Sequence, residues 1–312
     1  MVRFFEELPS LIKDGLKFPD AHFIIPKHLL CFDHVRRETF LISFGSEERK
    51  VEKIAEEEAK IGDFLVKAPK SNMSKRDFEK RTLRAKEYIK EGDIFQVVLS
   101  RCLSASYDGD ALQFYNVLRS INPSPYMFYL DFGDVQIAGS SPEMLVRLRD
   151  NELTLRPIAG TRPRGKSAEE DEKLKLEMLL DEKERAEHTM LVDLGRNDLG
   201  RVSEYGTVHV NELMAIEKYS HVQHIVSNIT AMLRKGRNAF DVLRATFPAG
   251  TVTGAPKIRA MEIIEELERT RRGPYAGGVG YFDFSGNLDF AITIRTMFTK
   301  NNTAYFQAGA GI

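Results

Sequence analysis

The feature that most limits the possible folds is a run of short strand-like segments between Tyr126 and Arg156. Residues 126–131, 135–138, 144–148 and 152–156 are rich in apolar, β-branched and aromatic side chains, and Gly and Asp turns separate them. Connections that short suit antiparallel neighbours, because a parallel pair needs a long crossover. The C-terminal third repeats the pattern, with strand signals at 279–284, 288–297 and 303–308 and a Ser-Gly-Asn turn at 285–287. Helical signals interrupt these runs. Ser74-Lys-Arg-Asp77 reads as a capping box opening a helix that Gly92 closes, and a strand is expected at 94–99. A helix at 111–121 stops at Asn122-Pro-Ser-Pro125, and another at 256–271 has Pro at its first turn and Gly273 beyond its end. The charge-rich stretches 47–60 and 167–187 have helical character. Neither repeats nor low-complexity linkers divide the chain, so the expectation is one α+β domain over residues 1–312 with large antiparallel sheets.

Composition narrows the function classes. The 312 residues are 42% hydrophobic and 29% charged, with 45 basic against 46 acidic residues and a net charge of −1. No basic stripe is available for a polyanion, which argues against nucleic acid. No apolar run approaches the roughly 18 residues of a membrane span, and the opening MVRFFEELPSLIKDG has no signal-peptide core. Cys31 and Cys102 each stand alone in apolar settings, giving neither metal-ligand spacing nor a disulfide framework, so a reducing cytoplasm is expected.

Several stretches carry candidate chemistry. RPIAGTRPRG, residues 156–165, combines three arginines with two glycines, which suits an anion site or a solvated basic turn. In DEKERAEHTMLVDLGRNDLGRV, residues 181–202, helical spacing puts Glu187 on a stripe with Met190, Leu191 and Leu194, and Glu184 one turn before it. Two carboxylates on a core-facing stripe need a cation: Mg²⁺ with oxygen ligands, or an arginine. In LDFAITIRTM, residues 288–297, alternation sets Asp289, Ala291, Thr293 and Arg295 on one face. The following Gly309-Ala310-Gly311 could bring free backbone N–H groups beside that guanidinium to hold a carboxylate; a rim ion pair is the other reading. FPAGTVTGAPK lacks a P-loop's spacing, and GPYAGGVGYF runs from helix into strand, so neither ATP nor NAD is expected. His224, on a probable strand, is either a core histidine or a catalyst.

Taken together and in this order, RPIAGTRPRG, AEHTMLVDLGRNDLGRV, HVQHIVSNI, FPAGTVTGAPKIRAMEII, GPYAGGVGYF and LDFAITIRTM followed by QAGAG resemble the chorismate-utilising enzymes, most closely their anthranilate synthase large-subunit branch. The resemblance runs from about Gly92 to the end. It implies two large antiparallel sheets packed as a sandwich with helices outside, and a Mg²⁺-dependent addition of ammonia to chorismate followed by loss of pyruvate. By the same resemblance Gly160 and Thr161 touch chorismate, Tyr275, Arg295, Gly309, Ala310 and Gly311 hold its carboxylates, and Thr251 contacts the substrate. Glu187 is a Mg²⁺ ligand with Glu184 beside it, Glu143 protonates the departing ring hydroxyl, and His224 serves the loss of pyruvate. Pro125, Tyr126 and Met127 match part of a tryptophan feedback site.

Within that family the residues discriminate among reactions. Gln96 stands where isochorismate and salicylate synthases carry a lysine base, and an amide cannot activate water in that way. Ala159 in PIAGT replaces the nucleophilic lysine typical of aminodeoxychorismate synthases. Direct attack by ammonia follows, supplied by a separate glutamine amidotransferase subunit, since neither cysteine has the setting of a glutaminase nucleophile. Aminodeoxychorismate synthase component I is the alternative. The family carries further segments before VRFFEELP and after Ile312, including an acidic helix with Mg²⁺ ligands, so a catalytically inactive chorismate-binding scaffold is also an open reading, and little or no tryptophan binding is expected of residues 1–312.

Overall fold

A computed structural model describes residues 1–12, 14–44, 62–219 and 222–312. The helical expectation for 47–60 lies outside the described residues. Six α-helices are described: α1 (Lys75–Lys90), α2 (Ala111–Ile121), α3 (Ala168–Leu180), α4 (Glu182–Gly200), α5 (Ala239–Thr246) and α6 (Lys257–Leu267). Local chemistry sets their starts. The Ser74 side chain accepts the Asp77 amide at the head of α1, Asp110 caps α2, Ser167 caps α3, and Asn238 and Asp241 form a reciprocal capping box on α5.

The described strands form three antiparallel sheets. A small hairpin pairs β1 (His28–Asp33) with β2 (Glu38–Ser43). One large sheet contains β3 (Phe64–Val66), β4 (Lys70–Ser71), β5 (Gln96–Gly109), β6 (Tyr126–Asp131), β7 (Val135–Ser141), β13 (Gly254–Ala255), β16 (Thr296–Lys300) and β17 (Thr303–Gly311), in the order β13-β5-β17-β16-β7-β6 with β3 and β4 on β5. The other contains β8 (Met144–Arg149), β9 (Glu152–Leu155), β10 (Ile158–Pro163), β11 (His209–Lys218), β12 (Val222–Met232), β14 (Gly278–Phe282) and β15 (Leu288–Ile292), in the order β10-β12-β9-β8-β15-β14 with β11 on β12. The α+β class and the large antiparallel sheets are as expected. Helices α3, α4 and α5 lie on the second sheet, and α1, α2 and α6 on the first.

The meander of 126–156 is present, but its second connection does more than turn. Between β7 and β8 the chain leaves one large sheet and enters the other, through Pro142-Glu143. The expected single strand 288–297 makes the same crossing in reverse. It divides into β15 and β16, and the link carries Arg295 at a positive φ of 50°. The two crossings are tied: the Ile292 amide donates to the Glu143 carbonyl (3.0 Å), and the Ser140 amide to the Arg295 carbonyl (3.2 Å). Alternation therefore fails beyond Ile292, and Arg295 does not continue the face of Asp289 and Ala291. The helix expected at 256–271 ends at Leu267, because Glu268 turns to extended backbone.

Buried Leu145, Val146, Leu148, Leu153, Val192, Ile229 and Leu288 form the main core between the second sheet and its helices, and Phe298 extends it to the first sheet. His188 of α4 is fully buried there, with Nε2 2.6 Å from Ser227 Oγ. Burial pushes its pKa down to about 4. Unfolded His188 binds a proton near pH 6.5, whereas the folded form resists it until about pH 4, so stability falls as pH drops through that window. The expected loss across the window is about 3 kcal/mol, at about 1.4 kcal/mol per pH unit. Urea denaturation at several pH values, compared between the wild type and His188→Gln, should show this part of the pH dependence vanish in the variant.

Candidate active site

The paired crossings place two opposite chemistries side by side. Glu143 is 7% exposed, and burial pushes its carboxyl up to about 8. The Thr251 hydroxyl, the Ile158 amide and the Arg295 charge oppose that shift without cancelling it. Thr251 Oγ1 is buried and has no partner at ordinary hydrogen-bond geometry, so the hydroxyl lies beside the carboxyl rather than tightly bonded to it. At neutral pH Glu143 is an acid with a proton to give. Arg295 is exposed, and among the described residues no carboxylate reaches it within ion-pair distance, which leaves its guanidinium for an anion.

The segment 156–165 is mostly strand β10 rather than a turn. Its three arginines are all engaged by carboxylates of the protein: Arg156 by Glu217, Arg162 by Glu184 (3.1 Å) and Asp181 (3.2 Å), and Arg164 by Asp171 (2.7 Å). These ion pairs fasten the segment to α3, α4 and β11. What the segment presents is its backbone. β10 and β12 shift register between Ala159 and Thr161, and Gly160 takes a φ of +64° that suits glycine. A Cβ there would stand 3.3 Å from Glu184 Oε2, so Gly160 and Glu184 line the same space.

His224 faces this bulge. Its Nδ1 lies 3.0 Å from the Gly160 carbonyl oxygen and 3.0 Å from Thr161 Oγ1. A carbonyl only accepts, so Nδ1 carries the hydrogen and Nε2 keeps the lone pair of the neutral ring. Burial lowers its pKa; the Gly160 carbonyl opposes and the Arg295 charge reinforces the shift. His224 is therefore neutral at pH 7, with a free basic nitrogen. The Tyr219 ring packs edge-on at 5.6 Å.

Helix α4 and strand β17 close the other side. Gln96 Nε2 donates to Glu187 Oε1 at 2.6 Å, and a Cβ on Gly311 would lie 2.8 Å from that nitrogen and 3.6 Å from the carboxylate oxygen. Of the two acids Glu184 takes an arginine, and Glu187, half-buried, accepts from an amide. Gln96 Oε1 is buried without a partner. Among the described residues no cluster of three or more His, Cys, Asp or Glu side chains is arranged to hold an ion. The orphaned Gln96 Oε1 beside the Glu187 carboxylate nonetheless offers oxygen donors of the kind a hard divalent cation takes. Tyr275 is buried, with its hydroxyl against the Gly309 amide. Gly309, Ala310 and Gly311 pair with Ser100, Leu99 and Val98 of β5.

Pro125, Tyr126 and Met127 line a cavity of about 770 Å³ with Val279 and Tyr281, where the Tyr126 hydroxyl donates to Asp289 (3.0 Å). This cavity adjoins the site, because Ile158 and Tyr219 line it too. Sequence reasoning saw Gln96 only as a residue that is not a base, and missed Tyr219, Ile158 and the buried Arg272–Glu268 pair behind Tyr275. Among the described residues no helix is long and apolar enough to cross a membrane.

A family profile described as chorismate binding enzyme matches residues 1–312. The chain is 48% identical to anthranilate synthase component 1 of Acetivibrio thermocellus over 336 aligned positions, covering 100% of this chain and 68% of the relative. It is 58% identical to anthranilate synthase component 1 of Aquifex aeolicus over 243 positions, covering 78% of this chain but only 49% of the relative, about half that relative's length. The crystal structure of anthranilate synthase component I from Streptococcus pneumoniae superposes with a TM-score of 0.90 at 41% identity, covering 100% of this chain and 73% of that one.

Of Gly160, Gly309 and Gly311, Gly309 is the most closely confined. An alanine methyl there would stand 2.7 Å from the Tyr275 hydroxyl, 2.8 Å from Val98 Cγ1 and 3.2 Å from the Leu99 carbonyl oxygen. Overpacking of this kind costs about 1–3 kcal/mol. Gly309→Ala should therefore displace Tyr275 and weaken chorismate binding by about tenfold or more in calorimetry.

Proposed function

The chain belongs to the chorismate-binding enzyme family, and we propose that it is the large subunit of an anthranilate synthase: it adds ammonia to chorismate and eliminates pyruvate to give anthranilate, the first committed step towards tryptophan. The observation that carries this reading is the juxtaposition of a buried Glu143, an Arg295 with no ion-pair partner among the described residues, and a His224 seated against the Gly160 bulge. Arg295 and the glycine-rich end of β17, with Tyr275, bind and orient the carboxylates of a dicarboxylic substrate. Gly160 and Thr161 bound the substrate on the opposite side.

Two proton transfers follow from the environments. Glu143, held protonated by burial, donates to the ring hydroxyl at C4 as it departs, while ammonia adds at C2. His224 Nε2 then takes the C2 proton as enolpyruvate leaves, and its Nδ1–H bond to Gly160 keeps the ring in the tautomer that can do so. The residues present suit Mg²⁺: Glu187 would hold it, with Glu184 alongside. Bound there, the ion would polarise the ring carboxylate as a Lewis acid. A nucleophile other than ammonia finds no support in the side chains: Gln96 donates to Glu187 and cannot deprotonate water, and Ala159 offers no amine.

Ammonia is proposed to come from a separate glutamine amidotransferase subunit. Burial pushes the Cys102 thiol up to about 11, far from a nucleophilic thiolate, and Cys31 sits on the β1–β2 hairpin. The cavity at Pro125–Met127 is proposed as part of a tryptophan feedback site.

His224→Met separates the two steps. With chorismate, Mg²⁺ and ammonium, the variant should still add ammonia and should accumulate the amino intermediate, with anthranilate reduced about 100-fold or more, as for loss of a general base. Chromatography of the products decides. An unchanged ratio of anthranilate to intermediate would remove His224 from the elimination.

A further inference from the structure

Arg272 lies beyond the end of α6, behind the site rather than in it. Its side chain is 13% exposed and that of its partner Glu268 only 3%. The guanidinium uses every edge. Nε and Nη2 donate to Glu268 (3.1 and 2.6 Å), Nη1 to the Val252 carbonyl (2.6 Å) and Nη2 also to the Val98 carbonyl (2.6 Å), and its carbon stands 5.5 Å from the centre of the Tyr275 ring. Glu268 Oε1 in turn accepts from the Ser100 amide (2.8 Å) and hydroxyl (2.7 Å), and Ser100 Oγ accepts from Gln307 Nε2 (2.8 Å).

One ion pair therefore ties together the turn that bears Thr251, the stretch of β5 just past Gln96, the part of β17 two residues before Gly309, and Tyr275. These are the backbones and the ring that surround the proposed carboxylate-binding space. Burying two charges is costly, and apolar side chains of similar volume often stabilise a fold as well or better. A planar fork that sets the spacing of four segments is something apolar packing does not supply.

We propose that Arg272, oriented by Glu268, is a positioning residue for substrate binding. It holds the Tyr275 ring and the Val252 turn at the distance from β17 that lets them act on the substrate's carboxylates. The inference rests on the proposed chorismate reaction, and Arg272 itself does not touch substrate.

The test is a double-mutant cycle on chorismate affinity, measured by calorimetry with Mg²⁺, together with thermal unfolding. Arg272→Lys keeps the charge and loses the fork, so it should weaken chorismate binding about tenfold while the variant stays folded at the assay temperature. In a Tyr275→Phe background the same substitution should cost markedly less, because part of its effect passes through that ring. Glu268→Gln, which keeps the shape and loosens the fork, should weaken binding in the same direction and provides the reading should Arg272→Lys not fold. Unchanged affinity with a lowered unfolding temperature would make the pair a structural element only and overturn the proposal, as would equal losses in both backgrounds. Failure of the wild type to bind chorismate would instead overturn the functional reading on which it rests.

Discussion

Two backbone hydrogen bonds, from the Ile292 amide to the Glu143 carbonyl and from the Ser140 amide to the Arg295 carbonyl, hold together the places where the chain changes sheets. The rest of the site depends on them. A strand that leaves one sheet for another exposes backbone groups that must find partners, and here each crossing satisfies the other. That mutual satisfaction fixes Glu143 in the interior and turns Arg295 outward at a positive φ, a conformation that costs energy for a non-glycine residue and persists only where its surroundings impose it. The buried carboxyl and the exposed guanidinium are thus placed by topology rather than by any local motif.

Burial then acts on Glu143 and His224 with opposite sign and the same result. A carboxyl removed from water gains pKa and an imidazole loses it, so both are neutral near pH 7: one holds a proton to give and the other a lone pair to receive. Arg295 opposes the rise at Glu143 and reinforces the fall at His224. The arginines of 156–165 would have undone this arrangement had their charge been free. Each is neutralised by a carboxylate of the protein, which leaves the segment to contribute the Gly160 carbonyl that sets the His224 tautomer.

Local features were legible because their causes are local. The caps at Ser74 and Asn122, the turns of 126–156 and the limits of α2 follow from side chains within a few residues. The division of 288–297 was not, since alternation and β-branching continue through Thr293 and Ile294 and nothing nearby marks the break; its cause is Ser140, distant in sequence. The partners of the arginines were hidden for the same reason, Glu217 lying 61 residues from Arg156 and Glu184 lying 22 from Arg162. In the same way Arg272, one of several arginines between Arg269 and Gly273, looks in sequence like any solvated charge, and only the packing of β5 and β17 shows that it is buried. The residues of the site were legible through resemblance of whole motifs, while the state of each, protonated, paired or free, came from the fold.

The central claim is that the sheet crossing makes Glu143 an acid that still carries its proton at neutral pH. Infrared difference spectroscopy between the wild type and Glu143→Gln, titrated across neutral and alkaline pH, reads that proton directly. The account predicts a protonated carboxyl band at pH 7 that is absent from the variant and disappears with a midpoint near 8. Titration of the same group in the ordinary glutamate range, near about 4.3, would contradict it.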